Sequence, residues 1–102
     1  MNADTIKNRF AFYVSNPAGV FPPSVNARGV YVGKLNIACG GDANRKLVLK
    51  YLTGKTSTKA LTDAEWGALR KMCDATPSEL EEYCAVILGA CVKNDGQMEM
   101  AV

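Results

Sequence analysis

Two helix starts, at Thr62 and Thr76, stand so close together in this chain that few folds remain open to it. Thr62-Asp63-Ala64-Glu65 and Thr76-Pro77-Ser78-Glu79 each set a hydroxyl three residues ahead of a glutamate. In this pattern hydroxyl and carboxylate satisfy each other's orphan backbone amides at a helix N-terminus. The second quartet also has proline at the first helical position, where its missing N–H is not needed. After the first start, Trp66, Leu69, Met72 and Cys73 form one stripe. After the second, Leu80, Tyr83, Cys84, Ile87, Leu88 and Cys91 recur three and four apart. The spacing predicts helices over 62–73 and from 77 to about Lys93, joined by Asp74-Ala75-Thr76. Between Tyr83 and Val92 there is no charge, so this stretch is either enclosed by other helices or set against a second copy.

Upstream, the same punctuation recurs. Gly40-Gly41-Asp42 reads as a turn and a cap, Leu47, Val48, Tyr51 and Leu52 as the apolar face of a helix, and Gly54 as its terminator. Asp4 to Val14 carries Ile6, Phe10, Tyr13 and Val14 on one side, with Asn2 or Asp4 as the cap. Asn16-Pro17-Ala18-Gly19 and Pro22-Pro23 cannot continue a helix and read as an extended arm packed by Phe21. Residues 29–39 fit both a strand alternation and a helical stripe, although a strand without a partner is marginal.

With 102 residues, 48% of them hydrophobic and 22% charged, the chain supports one domain around one core. The expected fold is mainly α: a small single-domain bundle of three to five helices. It divides into an N-terminal helix and Pro/Gly-rich arm (1–33), a helical core (34–93) and a loose tail (94–102).

There is no histidine in the chain. That removes Ser-His-Asp and Cys-His catalysis, a histidine general base and His-containing zinc fingers. Cys39, Cys73, Cys84 and Cys91 include no Cys-x-x-Cys pair, and two cysteines seven residues apart on one helix are separated by about 10 Å of rise, too far to bridge. They read as buried small hydrophobes, with no metal and no cofactor expected. The acids sit mostly in first helical turns, where capping and the helix dipole account for them, so the chain reads as no enzyme. It has neither a secretory apolar run nor an apolar stretch of membrane-spanning length, which makes a cytoplasmic location the expectation and a membrane no partner.

Charge is segregated along the chain. Residues 1–73 hold eleven Lys or Arg against four acids, a local +7; residues 74–102 hold one Lys against six acids, a local −5. Such a division suits a basic face for a polyanion, or a complementary contact between the two halves. Gly54-Lys55-Thr56 resembles the end of a phosphate-binding loop, but the first glycine of that motif would fall at Leu49. What remains is Arg45, Lys46 and Lys50 on one helix face, then Lys55 and Lys59 in a hydroxyl-rich loop. This segment is the expected contact for a nucleic-acid backbone, weak and without base reading. A helix-turn-helix over 62–93 is disfavoured, because Glu79, Glu81 and Glu82 would open the recognition helix and face phosphates. That acidic patch instead suits a protein partner, and the uncharged helix behind it suits a homo-oligomer.

Leu52-Thr53-Gly54-Lys55-Thr56-Ser57-Thr58-Lys59-Ala60-Leu61-Thr62-Asp63-Ala64-Glu65 resembles the GemA-type regulatory proteins of Mu-like phages, and Lys34-Leu35-Asn36-Ile37-Ala38 is similar to the helix that precedes the same step in that family. The likeness covers roughly residues 34–70 and inclines 34–39 toward helix. It implies a small helical protein of phage or mobile-element type, regulatory and DNA-associated, and it transfers no catalytic residue. Gly40-Gly41 interrupts where the helix of that family continues.

Overall fold

The computed structural model describes residues 2–16 and 18–101, with side chains described as far as Cys91. Five α-helices form a bundle: α1 (Ala3–Ser15), α2 (Arg28–Cys39), α3 (Asp42–Thr53), α4 (Asp63–Cys73) and α5 (Pro77–Ala101). Single 3-10 turns at Val25–Ala27 and Thr58–Ala60 lead into α2 and α4, and there is no strand among the described residues.

Local chemistry explains most of the boundaries. The Asn2 carboxamide oxygen accepts from the Thr5 amide at 2.8 Å and caps α1. The expected box at α4 is complete: the Glu65 amide donates to the Thr62 hydroxyl, and the Thr62 amide donates to the Glu65 carboxylate at 2.9 Å. At α5 the Thr76 hydroxyl accepts from the Glu79 amide at 3.3 Å. Gly40 ends α2 with φ 84°, and the Gly40 and Gly41 amides both return to the Asn36 carbonyl. A side chain at either position would be strained by this left-handed backbone, and the corner lets α3 start after only two residues.

Several expectations are corrected. Residues 29–39 are helical throughout, and α2 starts at Arg28 rather than at 34, because the 3-10 turn at Val25–Ala27 hands the chain directly into it. Asp42 is not the cap of α3. Gly41 holds that position, and Asp42, one residue inside, turns its carboxylate to Arg45 and Lys46. Phe21 does not pack the connecting segment, being 69% exposed. Val20 and Pro23 do so instead, since glycine at position 67 of α4 leaves room for Val20, whose Cγ1 would lie 3.2 Å from any Cβ there. The helix expected to end near Lys93 continues in backbone form to Ala101. Gln97, Met98, Glu99, Met100 and Ala101 are good helix formers, which offset one glycine.

The core is a single cluster. Leu35, Val48, Leu49, Ala68, Leu69, Cys84 and Ile87 are wholly enclosed, with Ile6, Phe10 and Trp66 close behind. α1 lies chiefly against α4, while α5 packs on α1, α2 and α3. Within Tyr83–Cys91, Cys84 and Ile87 are buried, and Ala85 and Gly89 face outward. The lack of charge there therefore reflects one enclosed side and one surfaced with small residues. No helix among the described residues is long and apolar enough to cross a membrane.

Candidate functional site

The five expected nucleic-acid contacts do not form one free cationic surface. Arg45 is 93% removed from solvent, its guanidinium held by Asp42 and its Nε buried without a hydrogen-bond partner. Lys46 shares the same carboxylate at 3.3 Å. These two cations, Arg45 first and then Lys46, hold the Asp42 carboxyl below its ordinary range. Lys55 reaches the Glu65 carboxylate at 2.6 Å. Lys50 and Lys59 remain exposed and outside any ion pair among the described residues.

Each of the four acids in the basic half is engaged within that half. Asp42 and Glu65 are paired as above, Asp63 meets Arg28 at 3.2 Å, and Asp4 accepts from the Tyr51 hydroxyl at 2.9 Å. Glu79, Glu81 and Glu82 are exposed. No ion pair joins the two halves among the described residues.

Glu65 shows how the pairing affects stability. Burial alone would raise its pKa, but the Lys55 ammonium, the Thr62 amide and the Thr62 hydroxyl together carry it below 4.5. A carboxylate with a lowered folded pKa contributes stability above its unfolded value and loses it as pH falls through the folded one. Thermal melts should therefore start to drop as pH falls below about 4.5. Lys55→Met should lose about 1–2 kcal/mol at pH 7 and show a shallower acid decline. Parallel acid profiles for the two proteins would contradict this.

A concavity lies elsewhere, between α1, α4 and the start of α5. It is an open cleft of about 260 Å³ with Ile6, Phe10, Ala68 and Met72 as apolar lining and the phenols of Tyr13 and Tyr83 beside them. Arg9, Lys71, Asp74 and Ala75 complete the lining. A smaller depression of about 140 Å³ shares Lys71 and Asp74 and adds Arg70, Val20 and Phe21. Arg9, Arg70 and Lys71 enter no ion pair among the described residues. Two cations without an ion pair among the described residues, Arg9 and Lys71, thus border an apolar hollow together with the Asp74 carboxylate, while Arg70 lies at the neighbouring depression.

Sequence reasoning missed this site. Arg70-Lys71 was visible only as a basic last turn that suits the α4 dipole, and nothing in the sequence brings Arg9 beside it.

Cys39, Cys73 and Cys84 are buried free thiols, as expected of small hydrophobes. Burial pushes Cys73 up to about 12. The Cys84 S–H donates to the Cys39 sulfur, which lowers Cys39 and raises Cys84. The Cys91 sulfur donates to the Leu47 carbonyl at 3.9 Å. Among the described residues no group of three potential ligands is placed to hold a metal ion. Compared with known proteins, the chain matches no family model, no curated protein and no solved structure.

Proposed function

We propose that this chain is a small, non-enzymatic regulatory protein that works as a protein-interaction module, in keeping with the phage or mobile-element type its sequence resembles. The observation that carries the reading is the cleft of α1, α4 and α5, where Arg9 and Lys71, outside any ion pair among the described residues, and the half-buried Tyr13 and Tyr83 border an apolar hollow, with the exposed Phe21 at the neighbouring depression. Tyr, Phe and Arg are the residue types enriched where proteins meet.

Magnitudes separate this reading from nucleic-acid contact through the 45–59 segment. Five free cations would give a salt slope near −4.5, and two, Lys50 and Lys59, only about −1.8. From 50 to 200 mM salt that is a loss of roughly tenfold in place of several hundredfold. A phosphate would also have to displace carboxylates already bound to Arg45, Lys46 and Lys55.

The test places a photoreactive phenylalanine analogue at Phe12, Phe21 or, as a control, Lys59 in the intact chain within cells. Discrete protein adducts from the first two positions and none from the third are expected. Adducts to nucleic acid, or equal protein labelling at all three, would overturn the reading. Titration of duplex and single-stranded DNA at two salt concentrations complements it. A salt slope steeper than about −4, abolished by Lys50→Glu plus Lys59→Glu, would restore the nucleic-acid contact in its place.

A further inference from the structure

We infer that the cleft between α1, α4 and α5 is a socket for an acidic segment of another protein that inserts one large apolar side chain. The inference rests on the interaction-module reading and adds the chemistry of the partner. The size of the cleft limits the ligand first. Drug-sized and cofactor ligands occupy about 300–1,000 Å³, and about 260 Å³ of open hollow suits a single aromatic or branched side chain. Its deepest members set the polarity: Ile6 and Phe10 are 4% exposed and Ala68 is wholly enclosed. These three side chains offer no hydrogen-bonding atom, so the inserted group is apolar.

The rim sets the charge. Arg9 reaches the cleft from α1 and Lys71 from α4, while Arg70 extends the positive strip toward Val20 and Phe21. Among the described residues every cation that lies within 4 Å of a carboxylate is elsewhere: Arg28, Arg45, Lys46 and Lys55. The charge left uncompensated at this rim is complementary to carboxylates flanking the inserted side chain. Asp74, shared by both depressions, offers acceptor oxygens for a backbone amide of such a segment, and the flanking carboxylates of that segment fall to the Arg9, Arg70 and Lys71 side of the rim.

The apolar floor favours an acidic polypeptide over a nucleic acid. A base lowered onto Ile6, Phe10 and Ala68 would leave without a partner whichever polar edge meets those side chains, whereas an apolar side chain loses nothing there. A second copy of this chain is also a poorer occupant. Among the described residues its exposed acidic patch, Glu79, Glu81 and Glu82, flanks Leu80, which is 3% exposed in the core, and Tyr83, which already lines the cleft. The acidic patch therefore has no large apolar side chain to insert.

The test uses the full chain and three fluorescent peptides of about twelve residues, long enough for one helical or extended docking segment. The first is rich in Asp and Glu with a central Phe, the second has Ala in place of that Phe, and the third keeps the Phe but replaces the acids by Lys. Anisotropy should show the first binding at least about tenfold more tightly than either other, and less tightly at higher salt. Arg9→Glu plus Lys71→Glu should weaken the first peptide by a similar factor without changing the melting temperature. If that double variant melts early, Arg9→Gln plus Lys71→Gln gives the same comparison with less disturbance. Lys50→Glu plus Lys59→Glu should leave binding unchanged.

Equal binding of the three peptides, no binding of the first, or indifference to the Arg9 and Lys71 changes would overturn the socket. So would tighter binding of oligothymidylate competed by the first peptide, or a dimer that the same charge reversals dissociate. Protein adducts at Phe12 and Phe21 with failure of the peptides would leave the interaction reading standing and remove only this account of the partner.

Discussion

Trp66→Ala should cost about 3–5 kcal/mol, a large share of the roughly 5–15 kcal/mol that stabilises a domain of this kind. Trp66 is 3% exposed on the inner face of α4, and the Arg28 guanidinium lies over its ring at 5.0 Å. Truncation leaves a cavity beneath α4 and deprives Arg28 of its aromatic partner, although Asp63 still holds that guanidinium. At roughly 4–8 °C per kcal/mol for a chain this size, the melting temperature followed by circular dichroism should fall by at least 12 °C. Leu88→Ala should lose much less, about 1–2 kcal/mol, because Leu88 is half-buried where Leu80, Cys84 and Ile87 are enclosed. Equal losses at the two positions would show that α4 is not the better-buried helix.

Arg45 carries the second large effect, and its sign depends on the replacement. Arg45→Glu puts a carboxylate where a cation is enclosed, one turn from Asp42, and should cost about 3–5 kcal/mol. Arg45→Met fills the same volume without a charge. It removes the buried Nε that finds no hydrogen-bond partner, so its stability should lie within about 1 kcal/mol of the parent or exceed it. Urea unfolding of both variants measures the contrast. A Met variant as unstable as the Glu variant would mean that the Asp42 pair itself holds α3 in place. The pair of variants also guards against a misreading. Charge reversal at Arg45 would abolish any binding activity by unfolding the chain, whether or not a ligand meets that side chain.

Helix existence was legible in the sequence because caps and periodicity agreed. Thr62 with Glu65, Thr76 with Glu79, and Gly54 mark helix ends by chemistry confined to four residues, and the structure places ends there. The inner face of α3 was less legible. Leu47, Val48, Leu49, Tyr51 and Leu52 are apolar around most of the helix, so the stripe 47–48–51–52 and the actual one, 45–48–49–52, fit almost equally well. The rotation between them turned Arg45 inward and left Leu47 and Tyr51 half-buried.

The candidate site was the least legible. Its cations come from residues 9 and 71, with Arg70 at the neighbouring depression, and among the described residues they lack the carboxylate partners that Arg45, Lys46 and Lys55 have. Pairing across elements, such as Lys55 with Glu65 across the Thr58–Ala60 turn, depends on packing that no local pattern records.

The two-glycine corner between α2 and α3 bears on the order in which the molecule assembles. It makes the contacts between those helices local, and local contacts close early in folding. α1 packs chiefly on α4, across about fifty residues of intervening chain whose ends must first be brought together. α1 is therefore expected to join late, after the helices it covers have met. Because Ile6 and Phe10 supply part of the apolar lining of the cleft, a chain that has not yet docked its first helix presents Arg70 and Lys71 without a complete hollow between them. Only the finished fold then offers a partner both charge and socket, so recognition at this site would double as a check that folding is complete.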